Sequence, residues 1–378
     1  MDQVLHAITT GAGLFWKALW ALAIGYAFSS LIQVFVSRSE VAKHLGKSGL
    51  REIGLGMVLG PISSSCSFAA LSAARALFGK GAALIPVLAF LFASTNLSFE
   101  VGVLTWVFLG WQFMLALYLG AFVLVAAMTV IVRLTCPSSL VEQARKRAQE
   151  AGQENGMEGM SGDPSEGLPD AWQDRLRDRE AWVRTGRTFI MEWQMVWKDL
   201  LIGFLVAGFI AVLVPDQFFQ ALFPQNLSPW LLVPIHALLG PVLALLTFIG
   251  SMGNGPLAAI LWQNGVLFAG IVAFLYSDFI VVPSMRINAR YYGWAYTAYL
   301  AAIFSVCSVV AGIVMHVLFW MLGLIPEAQQ GRVQELATFA IDYTFWLNLL
   351  AIGISVALVW LGKSGAGEHQ EQMHAAHH

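Results

Sequence analysis

Gly60-Pro61, followed by Ser63, Ser64, Ser65, Cys66 and Ser67, is the run of residues best suited to handle a solute. A proline inside a helix removes an amide donor and breaks the hydrogen-bond ladder. Small side chains then leave room for a solute to reach the freed backbone. Hydroxyls can coordinate a cation or hydrogen-bond an oxyanion, and one thiolate can bind a soft, thiophilic species. The competing account is close packing, because small residues gather at helix–helix contacts in membranes. We take Pro61, Ser63, Ser64, Ser65, Cys66 and Ser67 as candidate substrate-binding residues, together with Asn96, Ser251 and Asn254 near two further breaks. Glu100 and Asp278 are candidate proton-coupling groups, since a carboxylate buried among apolar residues can take up and release a proton near neutral pH. Otherwise they are interfacial carboxylates paired with Lys80, Arg286 or Arg290. Those cations and Arg75 could draw in an anion or anchor the chain by snorkelling.

These residues must be positioned by apolar segments that break. Gly60–Glu100 is one such stretch, and Gly240–Asn288 resembles it. Each opens with Gly-Pro and has a small, polar middle, in the second case Gly250-Ser251-Met252-Gly253-Asn254-Gly255-Pro256. KGAALIPVLAFLFAS aligns with NGVLFAGIVAFLYSD, pairing Gly81 with Gly265 and Ser94 with Asp278. Asn288 lies near the end of the second copy. When the two Gly-Pro pairs are matched, their distance to the later glycine differs by about one helical turn. Paired Gly/Pro-broken segments in the two halves of a chain point to a transporter's binding site. Broken backbone at bilayer depth is tolerated only where protein buries it or where it lines a wet cavity.

Composition fixes the class. The chain has 378 residues, 58% hydrophobic and 12% charged, where soluble domains run at about 45–50% and 25%. Mean hydropathy is +0.68. The expected fold is an all-α polytopic membrane protein of about 8–10 spans, in two related halves with broken or re-entrant segments. Expected spans are Leu14–Val36, Ile53–Phe78 (broken), Ala82–Leu109 (interrupted at Thr95-Asn96), Trp111–Leu134, Leu200–Val214, Trp230–Leu261 (broken), Val266–Val282, Trp294–Leu324 and Phe345–Leu361. This divides the chain into a first membrane half (1–134), a linker (135–198), a second half (199–324), an extra loop and span (325–362) and a tail (363–378) expected to be disordered.

Pro137 to about Asp170 is polar and expected to be a flexible linker, with SLVEQARKRAQEAGQE extending the preceding helix. Trp172, Leu176, Trp182, Phe189, Trp193 and Trp197, interleaved with arginines, read as an amphipathic helix. It lies on the membrane surface or packs on the protein's own flank. Arg133–Lys198 holds ten of the 21 Lys and Arg, which places it in the cytoplasm. The Arg38–Arg51 loop belongs there too. An even number of crossings must separate the two loops, yet three apolar blocks do, so a re-entrant hairpin is expected among them, or two crossings parted at Thr95-Asn96.

Cys66, Cys136 and Cys307 make no disulfide framework. There is no H-E-x-x-H, phosphate loop or dinucleotide fingerprint, no basic cluster for nucleic acid, and no cofactor is expected. The spacing of His369, His374, His377 and His378 is not that of a closed metal site. The expected partners are the lipid bilayer and a small-molecule or ion substrate, and the expected function is non-enzymatic solute transport. A passive pore or a membrane anchor for partner proteins are the alternatives.

SSLIQVFVSRSEVAKHLGKSGLREIGLGMVLGPISSSCSFAALSAARALFGKGAALIPVLAFLFAS, and more loosely MEWQMVWKDLLIGFLVAG, resemble the predicted permeases related to the organoarsenical efflux permease ArsP. The resemblance implies an inner-membrane, multi-span permease of two similar halves and export of trivalent organoarsenicals. Many relatives carry two or more cysteines after the proline; here Ser63, Ser64 and Ser65 precede the single Cys66.

Overall fold

The computed structural model describes residues 2–35, 49–63, 67–79, 81–154, 167–169, 172–223, 227–247, 253–327 and 332–375. Ser64, Ser65, Cys66, Lys80 and Ser251 therefore lie outside the described residues, as do the side chains of Ser63 and Ser67. Among the described residues all regular elements are helices. The first membrane half contains α1 (Asp2–Phe35), α2 (Leu50–Ser63), α3 (Ser67–Gly79), α4 (Leu84–Asn96), α5 (Phe99–Leu109) and α6 (Trp111–Thr135). Then come α7 (Ser138–Glu154), α8 (Trp172–Arg175), α9 (Arg179–Leu213), α10 (Asp216–Leu222), α11 (Pro229–Thr247) and α12 (Asn254–Gln263). The chain closes with α13 (Phe268–Leu275), α14 (Val282–Tyr292), α15 (Trp294–Met321), α16 (Arg332–Leu336) and α17 (Tyr343–Ala375).

Among the described residues six helices, α1, α6, α9, α11, α15 and α17, are long and apolar enough to cross a membrane; α4 and α5, bent by 45°, make a seventh if they form one span. This is a multi-pass membrane protein. Helix is the form such a chain must take, because lipid offers no partner to a backbone amide. Four of the expected crossings are shorter helices: Ile53–Phe78 is α2 and α3, Ala82–Leu109 is α4 and α5, Trp230–Leu261 is α11 and α12, and Val266–Val282 is mainly α13.

The bundle is built on antiparallel pairs. α1 lies along α9, with Gly11 near Phe204, Tyr26 against Trp193 and Phe35 against Trp182. A Cβ on Gly11 would fall 2.8 Å from the Phe204 carbonyl oxygen, and one on Gly208 would fall 2.6 Å from the Gly11 amide. Glycine is what permits this approach. The Trp/Arg-rich stretch therefore opens one long helix that packs on the protein's own flank. Likewise α6 runs antiparallel to α15, with Phe113 near Phe268, which stacks on Phe319, and Thr135 bonded to Tyr299 at 3.0 Å.

Within each half the packing is parallel. Gly56 of α2 lies against Pro86, Ala89 and Phe90 of α4, and Gly60 lies against Phe90, Ala93 and Ser94. Four residues along one helix match four along the other, in the same direction. The chain must come back between α2 and α4, and α3 is the returning segment. In the second half His236 and Gly240 of α11 meet Gly270, then Ala273 and Phe274, of α13. Here α12 returns the chain. So α2–α3 is a hairpin open to the face that carries the C-terminus of α6 (Phe78 touches Tyr292, and Arg145 reaches Ala82). The α11–α12 hairpin opens to the opposite face, where Trp262 meets Phe113. The extra apolar block thus folds as a hairpin with both ends at one face, and if α4–α5 form one span, they and α6 supply an even number of crossings.

The two halves share one pattern at an offset of 184 residues. Gly81 and Gly265 both have positive φ, 99° and 85°. Each ends a helix with the same two bonds, Gly81 N to Phe78 O and Ala82 N to Leu77 O against Gly265 N to Trp262 O and Val266 N to Leu261 O. A residue with a Cβ would be strained at this φ. α4 then starts at Leu84 and α13 at Phe268. By packing, the partner of Gly240 is Gly56 rather than Gly60, since Pro86, Ala89 and Phe90 correspond to Gly270, Ala273 and Phe274. The one-turn mismatch disappears: proline position misleads, because the repeat is held by helix contact. One residue fewer in the second copy sets Gly110-Trp111 against Gly293-Trp294, each opening a long helix.

α7 does not extend α6. Cys136, with Pro137 after it, takes an extended conformation (φ −80°, ψ 115°), as a residue before proline tends to. α7 then packs across α3 and α14.

Candidate transport site at the helix breaks

The described helices end and resume at matching places: α2 ends at Ser63 and α3 begins at Ser67, while α11 ends at Thr247 and α12 begins at Asn254. Pro61 stands inside α2, in its last turn. Asn254 opens α12, and Gly253 before it provides no side-chain cap. Asn254 is 1% exposed, and neither its amide nitrogen nor its oxygen has a hydrogen-bond partner among the described residues.

At the α4–α5 break the hydroxyls close the backbone on itself. Ser94 donates to Leu91 O at 2.7 Å and Ser98 to Thr95 O at 3.1 Å, while Val101 N reaches Ser98 Oγ at 3.4 Å. Tyr118 of α6 donates to Ser98 O at 3.2 Å. The Asn96 amide donates to Phe92 O at 3.0 Å and to Thr95 Oγ1 at 3.3 Å. Its nitrogen is therefore used within its own helix. Glu100 follows in the first turn of α5, where a helix N-terminus favours a carboxylate. It is 2% exposed and packs on the bare backbone of Gly25.

Asp278 lies in the turn after α13, 1% exposed, in the position that Ser94 occupies in the first half. Beside it Ser277 donates to Ala273 O at 2.6 Å, and the Tyr276 hydroxyl donates to Leu117 O at 2.5 Å on α6. Asn288 is buried on α14, whereas Arg286 and Arg290 are exposed. Arg75 lies over the Tyr291 ring at 4.0 Å. The structure thus separates the two acidic candidates: Glu100 goes with α1, Asp278 with the turn beside α6.

One buried carboxylate escaped sequence reasoning. Glu192 of α9 is 4% exposed. It accepts from Ser29 at 3.0 Å, from Ser30 at 3.1 Å and from the Gln33 amide. The amphipathic reading of Trp172–Trp197 hid it among exposed charges. The one available signal was the polar trio Ser29, Ser30 and Gln33 inside an otherwise apolar span. Glu100 packs on α1 one turn before this trio, at Gly25.

Two helical hairpins of matching pattern open to opposite faces, and the second carries the buried Asn254 at the start of its returning helix. The chain belongs to the ArsP_1 family of predicted permeases, whose model it matches over residues 3–317. A protein of Mycobacterium tuberculosis (strain ATCC 25618 / H37Rv) named as a permease, Rv2963, is 37% identical over 325 residues, 86% of this chain and 79% of that one. No solved structure matches the chain.

Proposed function

We propose that this permease is a secondary transporter of the cell inner membrane that exports a small solute in exchange for protons. The observation that carries the proposal is the pair of hairpins entering from opposite faces. The sequence that joins the two helices of each hairpin contains small, polar residues, which supports a site that can be reached from either side in turn. Pro61, Ser63–Ser67, Asn96, Ser251 and Asn254 are the proposed solute ligands. Glu100 and Asp278 are the proposed proton carriers, and a buried carboxylate away from bulk water is suited to that task. The Arg133–Lys198 region supports a cytoplasmic position for the face holding the ends of α1 and α6. Cys66 supports a thiophilic solute, with trivalent organoarsenicals the first to test.

The test is uptake of methylarsenite, arsenite and oxyanions by everted vesicles, with and without an uncoupler. Arsenical accumulation that is lost on uncoupling, and lost in Cys66→Ser, is the expected result. Flux that persists unchanged under uncoupling identifies a passive pore. Full coupled activity in both Asp278→Asn and Glu100→Gln removes both carboxylates from the mechanism.

A further inference from the structure

We infer that Asn254 is a direct solute ligand and that the solute it takes is an uncharged, hydroxylated molecule. The inference rests on the permease reading and names the class of substrate. A buried carboxamide with no partner is costly, and native structures rarely keep one without a use. Here both ends are open: among the described residues neither Nδ2 nor Oδ1 of Asn254 is hydrogen-bonded. A fully deprotonated oxyanion could satisfy the amide nitrogen but has no hydrogen to give the oxygen; a hydrogen-bearing one such as hydrogenphosphate is set apart by its charge. A hydroxyl supplies both, accepting from Nδ2 and donating to Oδ1.

The surroundings agree with a neutral ligand. Asn254 starts a ten-residue helix whose first turn has no side-chain cap, so its amides add a weak preference for a ligand oxygen. The next residue, Gly255, lies against Phe108, 3.3 Å from a Cβ built on it, and near Leu104. These walls are apolar. The helices packed on α12 include α5, α9, α13 and α16, the last with Arg332 at the far end of α12, where Val333 N donates to Gln263, and not beside Asn254. Neither α5 nor α13 carries Lys or Arg. On α9 the basic residue nearest in sequence to Phe204, which faces Phe108, is Lys198; it is exposed and lies over Trp197. A bare anion would be desolvated here with no countercharge, which is expensive. A neutral hydroxide loses far less. The corresponding residue of the first half is Ala70, so the two hairpins differ here and the ligand is held from one side.

Thermal unfolding of the purified full chain in detergent tests this, with boric acid and methylarsenite as uncharged hydroxides and phosphate as the anion. The wild type should melt several degrees higher with the uncharged hydroxides and be unmoved by phosphate. Asn254→Leu and Asn254→Ala should lose that shift. Without ligand, Asn254→Leu should melt at or above the wild type, because an unpaired polar group has been removed. A response to phosphate alone, no response of the wild type to any probe, or undiminished shifts in both variants would overturn the inference. So would ligand-free melting temperatures of Asn254→Leu and Asn254→Ala both well below that of the wild type, which would mean that the carboxamide serves the fold. Transport enters none of these arms, so a protein that binds but does not export fails the permease reading alone.

Discussion

Glu192 shows how much one side chain can organise inside an apolar bundle. It gathers two hydroxyls and an amide from α1; Ser30 can fall back on Tyr26 O and Gln33 on Ser29 Oγ, but removing Glu192 takes away the acceptor all three share. Leaving buried donors unpaired costs roughly 1–3 kcal/mol. Glu192→Ala should therefore destabilise the protein by about 2–3 kcal/mol, and Glu192→Gln, which keeps an acceptor, by about 1 kcal/mol. Thermal unfolding of the two variants checks this; equal losses would mean that packing, not hydrogen bonding, is what Glu192 supplies. Asp342 makes a prediction about pH. The Lys17 ammonium, 2.6 Å away, holds its carboxyl below the usual carboxylate range. A group depressed in the folded state stabilises above its unfolded pKa, about 3.9, and loses that contribution as pH falls through the folded value. Asp342→Asn should accordingly melt below the wild type at neutral pH, and the gap should close below about pH 4. A gap independent of pH would show that the Lys17 pair is not its source.

Helices meet in this protein through glycines, and those glycines do two different jobs. Gly81 has φ 99° and open space where a Cβ would sit, nothing lying within 4 Å. Gly81→Ala should cost only backbone strain, about 1 kcal/mol. Gly208 is helical, but a Cβ there would run into the backbone of Ala7 and Gly11. Gly208→Ala must push α1 and α9 apart along a seam that also holds Glu192, so its loss should exceed that of Gly81→Ala at least twofold. Melting curves of the two variants in one detergent decide the order, and the reverse order would contradict the seam packing. α7 shows a second lesson of this scale. Its residues have the composition of a linker, yet Arg145 donates to Ala82 O at 2.9 Å and lies over Phe78 at 4.8 Å. A charged, polar segment can be ordered by what it bridges.

For the whole molecule, the parallel packing of α2 on α4 and of α11 on α13 fixes which face each hairpin opens to. Leu50, at the start of α2, is 81% exposed and Trp230, at the start of α11, is 90% exposed. Single cysteines at these sites, Leu50→Cys and Trp230→Cys, should react with a membrane-impermeant thiol reagent from opposite sides, in right-side-out and everted vesicles respectively or the reverse. Labelling of both from one side would refute the opposed hairpins. On the proposal that Arg133–Lys198 faces the cytoplasm, Leu50→Cys should be the one labelled from the cytoplasmic side.

The membrane class, the helical fold and the existence of two broken, related stretches were legible in the sequence. They depend on composition and on local rules, namely apolar length, Gly/Pro breaks and the need of backbone for internal partners in lipid. The extra apolar block even betrayed a hairpin, because crossings must keep parity. What belonged to tertiary structure alone was which residues meet. The true partner of Gly240 is Gly56, set by contact with a neighbouring helix and invisible in a Gly-Pro match. Glu192 and its three donors come from helices more than 150 residues apart in sequence, and only the fold makes them a cluster. Asn96 and Asn254 look alike in the sequence; the first spends its amide on its own helix and the second finds no partner among the described residues. A hydrogen-bond partner is a fact of three-dimensional proximity, and spacing along the chain does not encode it.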